Sequence, residues 1–183
     1  MSTDPVVIVA ARRTPIGAFQ GAFSDVSATE LGATAVAAAV ADSGVEPADF
    51  GRVLMGCVLP AGLGQAPARQ AALGGGLPKG VPCATVNKMC GSGMEALVLA
   101  HDMVVAGSVG IAVAGGLESM TNAPYLMPKA RRGYRMGHQE VLDHMFYDGL
   151  QDTYEGHMMG HYAEATSQKY GFSREDQDAF AIE

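Results

Sequence analysis

The sequence predicts an α/β protein built on a mostly parallel β-sheet. Short apolar runs alternate with helical patterns in the order strand, helix, strand, helix, strand, helix, strand, the order of crossover units in a parallel sheet. The runs are apolar throughout rather than alternating, as in strands covered on both faces. Two of them end at Cys90 and at Gly115-Gly116. Ligands of such sheets bind beyond the carboxyl ends of the strands, so one site can use both places.

Taken in order, Val6-Val7-Ile8-Val9-Ala10 reads as a first buried strand, which Thr14-Pro15-Ile16-Gly17 ends in a loop. Ser27 and Glu30 have capping-box spacing. The alanine-rich helix after them runs to about Ser43, and Gly44 stops it. Glu46-Pro47-Ala48-Asp49 starts a short helical turn, and Val53 to Leu59 is the second strand. Pro67 suits the first position of a helix, which Gly74-Gly75-Gly76 terminates. Cys83 to Val86 is the third strand, and Val109 to Ala114 the fourth. Residues 120–160 are poor in strands and rich in Pro, Gly, Arg, His and Met. That is too long for an ordinary connection and reads as a functional loop or part of a second domain. Met158 to Tyr170 is a helix capped by Gly171, and Ser173 to Asp176 opens another that is still running at Glu183.

Of the 183 residues, 48% are hydrophobic and 17% charged, enough for a sizeable core. A net charge of −7 argues against a nucleic-acid footprint, which needs a basic face, and against an electrostatic membrane anchor. No apolar run approaches the roughly 20 residues of a membrane span. The first five residues lack the basic-then-apolar pattern of a secretory leader. Cys57, Cys83 and Cys90 are odd in number and irregular in spacing. They fit neither a disulfide framework nor a zinc site, and a reducing cytoplasmic compartment is the simplest expectation. Most of the 11 methionines are expected to fill the core.

The stretch Asn87-Lys88-Met89-Cys90-Gly91-Ser92-Gly93-Met94 carries the chemistry. Cys90 stands where a strand turns into a helix patterned by Met94, Leu97, Val98, His101, Val104 and Val105. A helix N-terminus stabilises a thiolate through its dipole and unpaired N–H groups. Gly91 and Gly93 remove side chains from the mouth of the site, so a substrate can come close. The same cysteine also fits the reading of a small buried hydrophobe. Lys88 need not face Cys90 across the turn, and no histidine lies within ten residues of it. Cys57 and Cys83 lie in apolar runs and read as core. His157 and His161 share a helix face, but a third ligand is missing, so no metal site is expected.

That stretch resembles the nucleophile motif of thiolases, most closely the acetyl-CoA acetyltransferase group. Ala11-Arg12-Arg13-Thr14-Pro15-Ile16-Gly17, Gly64-Gln65-Ala66-Pro67-Ala68-Arg69-Gln70 and Ala114-Gly115-Gly116-Leu117-Glu118-Ser119-Met120-Thr121-Asn122-Ala123-Pro124-Tyr125 resemble other family segments, in order and spacing. The resemblance covers essentially the whole chain. It implies a thiolase-like layered fold with a mixed, mostly parallel sheet. Residues 1–119 would form the N-terminal α/β domain and 120–183 the start of an irregular loop domain, which covers the active site and helps form the oligomer.

The resemblance also implies acyl transfer between coenzyme A thioesters through an acyl-cysteine on Cys90. That is condensation of two acetyl-CoA to acetoacetyl-CoA and the reverse thiolysis, with no cofactor and in a homo-oligomer, a dimer or tetramer. The family's general-base histidine and second reactive cysteine belong to a C-terminal half whose motifs this chain does not contain. Leu150 and Met159 match positions that touch the pantetheine arm, where ordinary apolar packing is the other reading. Many biosynthetic thiolases have a histidine where this chain has Met158. His157 falls one position earlier, a turn of about 100° around a helix. Glu118 and Asn122 are expected to orient the nucleophile loop by hydrogen bonds. Arg131, Arg132 and Arg135 read as a solvated face or oligomer contact before a seat for coenzyme A phosphates. The alternatives are a degradative thiolase for longer acyl chains and a non-catalytic half-subunit that needs a partner chain.

Overall fold

The computed structural model describes residues 6–183. Three parallel strands, β1 (Arg52–Gly56), β2 (Cys83–Val86) and β3 (Ala112–Gly116), form a sheet in the order β2-β1-β3. β1 is central because it alone is apolar enough to lie between two neighbours and two covering layers. Val53, Leu54 and Met55 are at most 3% exposed. In register, Val53 lies opposite both Cys83 and Val113, and Gly56 opposite both Val86 and Gly116.

Alternation along β1 sorts its side chains into two cores. Val53 and Met55 join the cluster built with α1 (Ala28–Ser43) and α2 (Pro67–Gly74). Leu54 faces the other way, onto Ala96 and Ala100 of α3 (Ser92–Val105). The result is a layered α/β fold, as the sequence predicts. Helix α1 carries the expected capping box: the Ser27 hydroxyl accepts the Glu30 N–H at 3.2 Å, and the Glu30 carboxylate accepts the Ser27 N–H at 2.9 Å. The Ser27 hydroxyl also donates to the Glu30 carboxylate at 2.7 Å, and this bond, then that from the Ser27 N–H, holds the Glu30 carboxyl below its usual pKa. Gly44 ends the helix at φ 66°. Helices α1 and α2 meet through small residues: a Cβ on Gly75 would stand 2.6 Å from Val36 Cγ1.

The expected strand at Val6–Ala10 does not form. Val7, Ile8 and Val9 are 74%, 79% and 61% exposed, and no ladder includes them. An apolar run reports a preference for burial but does not supply the sheet edge it must pair with. The segment is tied to the fold further on, where the Arg12 guanidinium pairs with the Asp42 carboxylate. The fourth expected strand is displaced, from Val109–Ala114 to Ala112–Gly116. Its limits are those of its partner: Arg52 to Gly56 pair with Ala112 to Gly116.

Beyond Leu117 the chain forms a separate two-stranded antiparallel sheet, β4 (Tyr125–Leu126) with β5 (Leu142–Asp143). A π-helical turn, Phe146–Leu150, follows β5. Helices α4 (Met159–Tyr170) and α5 (Arg174–Ile182) bury none of their side chains. Gly171 caps α4 at φ 70°, and Ser173 with Asp176 forms a second capping box. No helix among the described residues is long and apolar enough to cross a membrane.

The head of α3 lies directly on the ends of β1 and β3. A Cβ on Gly56 would sit 2.5 Å from the Ser92 carbonyl carbon and 2.6 Å from the Gly93 nitrogen. Backbone cannot give way as a flexible side chain can. Gly56→Ala is therefore expected to destabilise the fold by about 3 kcal/mol. At Gly116 an added Cβ would meet nothing closer than 3.4 Å, and Gly116→Ala is expected to change stability by less than about 1 kcal/mol. Urea unfolding of the two variants checks the contrast.

Candidate active site

The turn between β2 and α3 presents Cys90. After Val86, the Asn87 side-chain oxygen accepts the Met89 N–H at 2.9 Å. The Gly91 N–H donates to the Lys88 carbonyl at 3.1 Å, and the Ser92 N–H to the Met89 carbonyl at 3.0 Å. Met89 sits in the left-handed region at φ 49°, an uncommon conformation for a residue with a side chain. Cys90 follows it and is exposed, while Cys57 is buried. Gly91 occupies the N-cap of α3, so no side-chain cap hydrogen bond closes the helix head. Lys88 turns away: its Nζ pairs with the Glu95 carboxylate at 2.7 Å.

The floor is set by the exits of the neighbouring strands. Cys90 opens onto a concavity of about 340 Å³ also lined by Gly56, Val58, Gly93, Gly116 and Glu118. Glu118, just past β3, reaches across to the exit of β1. Its carboxylate accepts the Val58 N–H at 2.8 Å, the Leu59 N–H at 3.0 Å and the Cys57 thiol at 3.5 Å. Among the described residues it is the only ionisable companion of Cys90 in the lining, its oxygens are engaged, and no histidine lines the concavity. A larger concavity of about 700 Å³ lies between residues 12–19 and 116–121, sharing Gly116, Leu117 and Glu118 with the first; no thiol lines it.

Glu118 and Asn122 do not bond to the 87–91 turn. Glu118 holds the β1 exit, and the Asn122 amide donates to Val26 O and Ser119 Oγ, both at 3.0 Å. Leu150 ends the π-helical turn, Met158 is the N-cap of α4 and Met159 its first residue. None of the three lines the Cys90 concavity. Their segment does approach the site's rim, since a Cβ on Gly149 would stand 3.3 Å from Leu59 Cδ2. The His157 and His161 rings stack at 4.3 Å. Among the described residues, no group of three or more His, Cys, Asp or Glu side chains could hold a metal ion.

Sequence reasoning missed two features. Ser92, 4% exposed, closes the turn beneath Cys90, although it stands within the motif already singled out. His144, 5% exposed, binds Asp148 through Nδ1 at 2.6 Å, while its buried Nε2 has no partner. Its i,i+4 spacing to Asp148 was the available signal.

These features define a layered α/β protein with one exposed thiol at a strand-to-helix turn, over the carboxyl ends of a parallel sheet. The chain belongs to the thiolase family, matching the thiolase N-terminal domain over residues 6–183. It is 49% identical over 177 residues to a "Probable acetyl-CoA acyltransferase" of Staphylococcus aureus strain COL, and equally to its counterparts in strains MRSA252 and NCTC 8325. The alignments cover 97% of this chain and 45% of each relative. The chain thus spans less than half the length of the curated relatives it matches.

Two outcomes follow for the thiols. Burial, then the Glu118 carboxylate, pushes the Cys57 thiol up to about 12. Iodoacetamide at pH 8 should modify Cys90 at least about 100-fold faster than Cys57, as peptide mapping would show. The raised value also links to stability. The unfolded chain loses the Cys57 proton near the ordinary thiol value of 9.0, before the folded chain does. This contribution is whole below pH 9 and is lost as pH rises towards 12. Wild type should therefore lose more stability than Cys57→Ala between pH 8 and pH 11 in urea titrations.

Proposed function

We propose that this chain supplies the nucleophile half of an acyl-transferring thiolase acting on coenzyme A thioesters, with Cys90 as the nucleophile. The observation that carries the reading is the exposed Cys90 on its strand-to-helix turn, in a chain of this family whose relatives bear the name acetyl-CoA acyltransferase. The Cys90 thiolate attacks the thioester carbonyl, the tetrahedral intermediate collapses, and coenzyme A leaves as its thiolate to be protonated. The acetyl group stays on sulfur. A second acyl-CoA then loses an α-proton to a base outside this half. Its carbanion attacks the acyl-cysteine, which yields a 3-ketoacyl-CoA and frees the Cys90 sulfur. Covalent storage of the acyl group divides one difficult step into two and makes the kinetics ping-pong.

Residues 1–119 serve as the α/β domain and 120–183 as the opening of the loop domain. Leu150, Met158 and Met159 are proposed contacts of the pantetheine arm, brought to the site when the remainder of the enzyme assembles. Coenzyme A thioesters are the substrates and no separate cofactor is required. The protein is proposed to work as a cytoplasmic homo-oligomer.

The outer face of α3 supports the need for a complementary half. Met94, Leu97, Val98 and Val105 are 72%, 48%, 49% and 59% exposed. A helix apolar on both faces is built to be covered on both. Alone, this chain should accept an acyl group without completing turnover.

Denaturing mass spectrometry after brief exposure to acetoacetyl-CoA tests the proposal. One acetyl group per chain is expected, mapping to Cys90 and absent from Cys90→Ser. A wild-type chain that stays unmodified while iodoacetamide still alkylates Cys90 would sink the acyl-transfer reading.

A further inference from the structure

We infer that Ser92 is the positioning residue of the Cys90 turn: its buried hydroxyl holds Met89 in its left-handed conformation and so aims the thiol. The inference rests on the reading of Cys90 as the nucleophile. Ser92 Oγ accepts the Lys88 N–H at 2.9 Å and donates to the Met89 carbonyl at 2.6 Å. One hydroxyl thus bridges the residues on either side of the Lys88–Met89 peptide. Both partners are backbone groups of the turn, and Ser92 is 4% exposed, so water does not compete for these bonds.

The turn needs such a clamp. Met89 at φ 49° would relax towards the ordinary region if released, and conformations of this kind persist only where the surroundings over-determine them. Rotation at Met89 would swing the next residue, Cys90. Among the described residues no other side chain makes two hydrogen bonds to the backbone of the turn. The Asn87 side chain bonds only the Met89 N–H, and Lys88 is held outward by Glu95. Ser92 is itself seated on the sheet, since its backbone lies against Gly56 at the end of β1. The sheet therefore fixes Ser92, Ser92 fixes Met89, and Met89 sets the direction of the thiol.

The test compares Ser92→Ala, Met89→Gly and the double variant of the full chain. Acetyl transfer from acetoacetyl-CoA to Cys90 needs an aimed thiol; alkylation by iodoacetamide needs only an accessible one. Ser92→Ala should lower the acetyl-transfer rate by about tenfold or more and leave the alkylation rate within about threefold. Hydrogen exchange at the amides of Gly91 and residue 92 should quicken by about tenfold, because their turn bonds open with the clamp gone. Glycine accepts the left-handed conformation without strain. Adding Met89→Gly should therefore restore both readouts to within about threefold of wild type. A merely structural hydroxyl would depress acylation and alkylation together and gain nothing from the glycine.

Unchanged exchange and acylation in Ser92→Ala would overturn the inference, as would a double variant no better than Ser92→Ala. If wild type itself accepts no acetyl group, the proposed activity fails, and the exchange measurements still decide the role of Ser92. If Ser92→Ala does not fold, Met89→Gly alone decides. Relief of a real strain slows exchange of the Gly91 and Ser92 amides, and no slowing means the hydroxyl had nothing to hold.

Discussion

The contact on which the rest depends is between backbone and backbone, where the first turn of α3 rests on the ends of β1 and β3. Glycines clear the ground. Gly56 faces Ser92 and Gly93, and a Cβ on Gly116 would lie 3.5 Å from Gly93 Cα. A helix normally stands off a sheet by the thickness of its side chains. Here the head of the helix comes down onto the carboxyl ends of the strands, and Cys90 stands at the concavity between the strand exits. Bulk at Gly56 would lift the helix head and the thiol with it.

Glu118 plays the matching part from the sheet side. Chains leaving parallel strands have no ladder to satisfy their N–H groups. Past Gly56, those of Val58 and Leu59 find one carboxylate delivered from the neighbouring strand exit. A charged acceptor strengthens both bonds and locks the β1 and β3 exits to each other. Burial, and then this carboxylate, raises the pKa of the Cys57 thiol beside it. Two cysteines near one carbonyl-rich edge thus receive opposite treatments, one sealed behind a carboxylate and one raised on a turn.

The uncovered apolar surface has the same origin as the site. β3 is a sheet edge, and α3 uses its small residues Ala96 and Ala100 against the sheet, leaving larger ones outward. The apolar residues at 7–9 likewise lie outside any ladder. The relatives are more than twice as long as the aligned segment, and these apolar faces are open to cover. Among the described residues, the one carboxylate lining the Cys90 concavity already accepts two N–H groups and a thiol.

The sequence by itself determined the layered α/β class, the capping box at Ser27 and Glu30, the glycine helix stops and the position of Cys90 at a strand-to-helix turn. All rest on interactions between residues close along the chain, which local pattern reports. It did not determine that residues 6–10 would form no strand, because a ladder needs an edge that apolarity does not name. Nor did it determine where β3 would begin, since its ladder follows the length of β1. The roles of Glu118 and Ser92 were decided only in the tertiary structure. Glu118 serves residues some 60 positions earlier in the chain. Ser92 has a structural task only because Gly56, brought up from another strand, lets its backbone rest on the sheet.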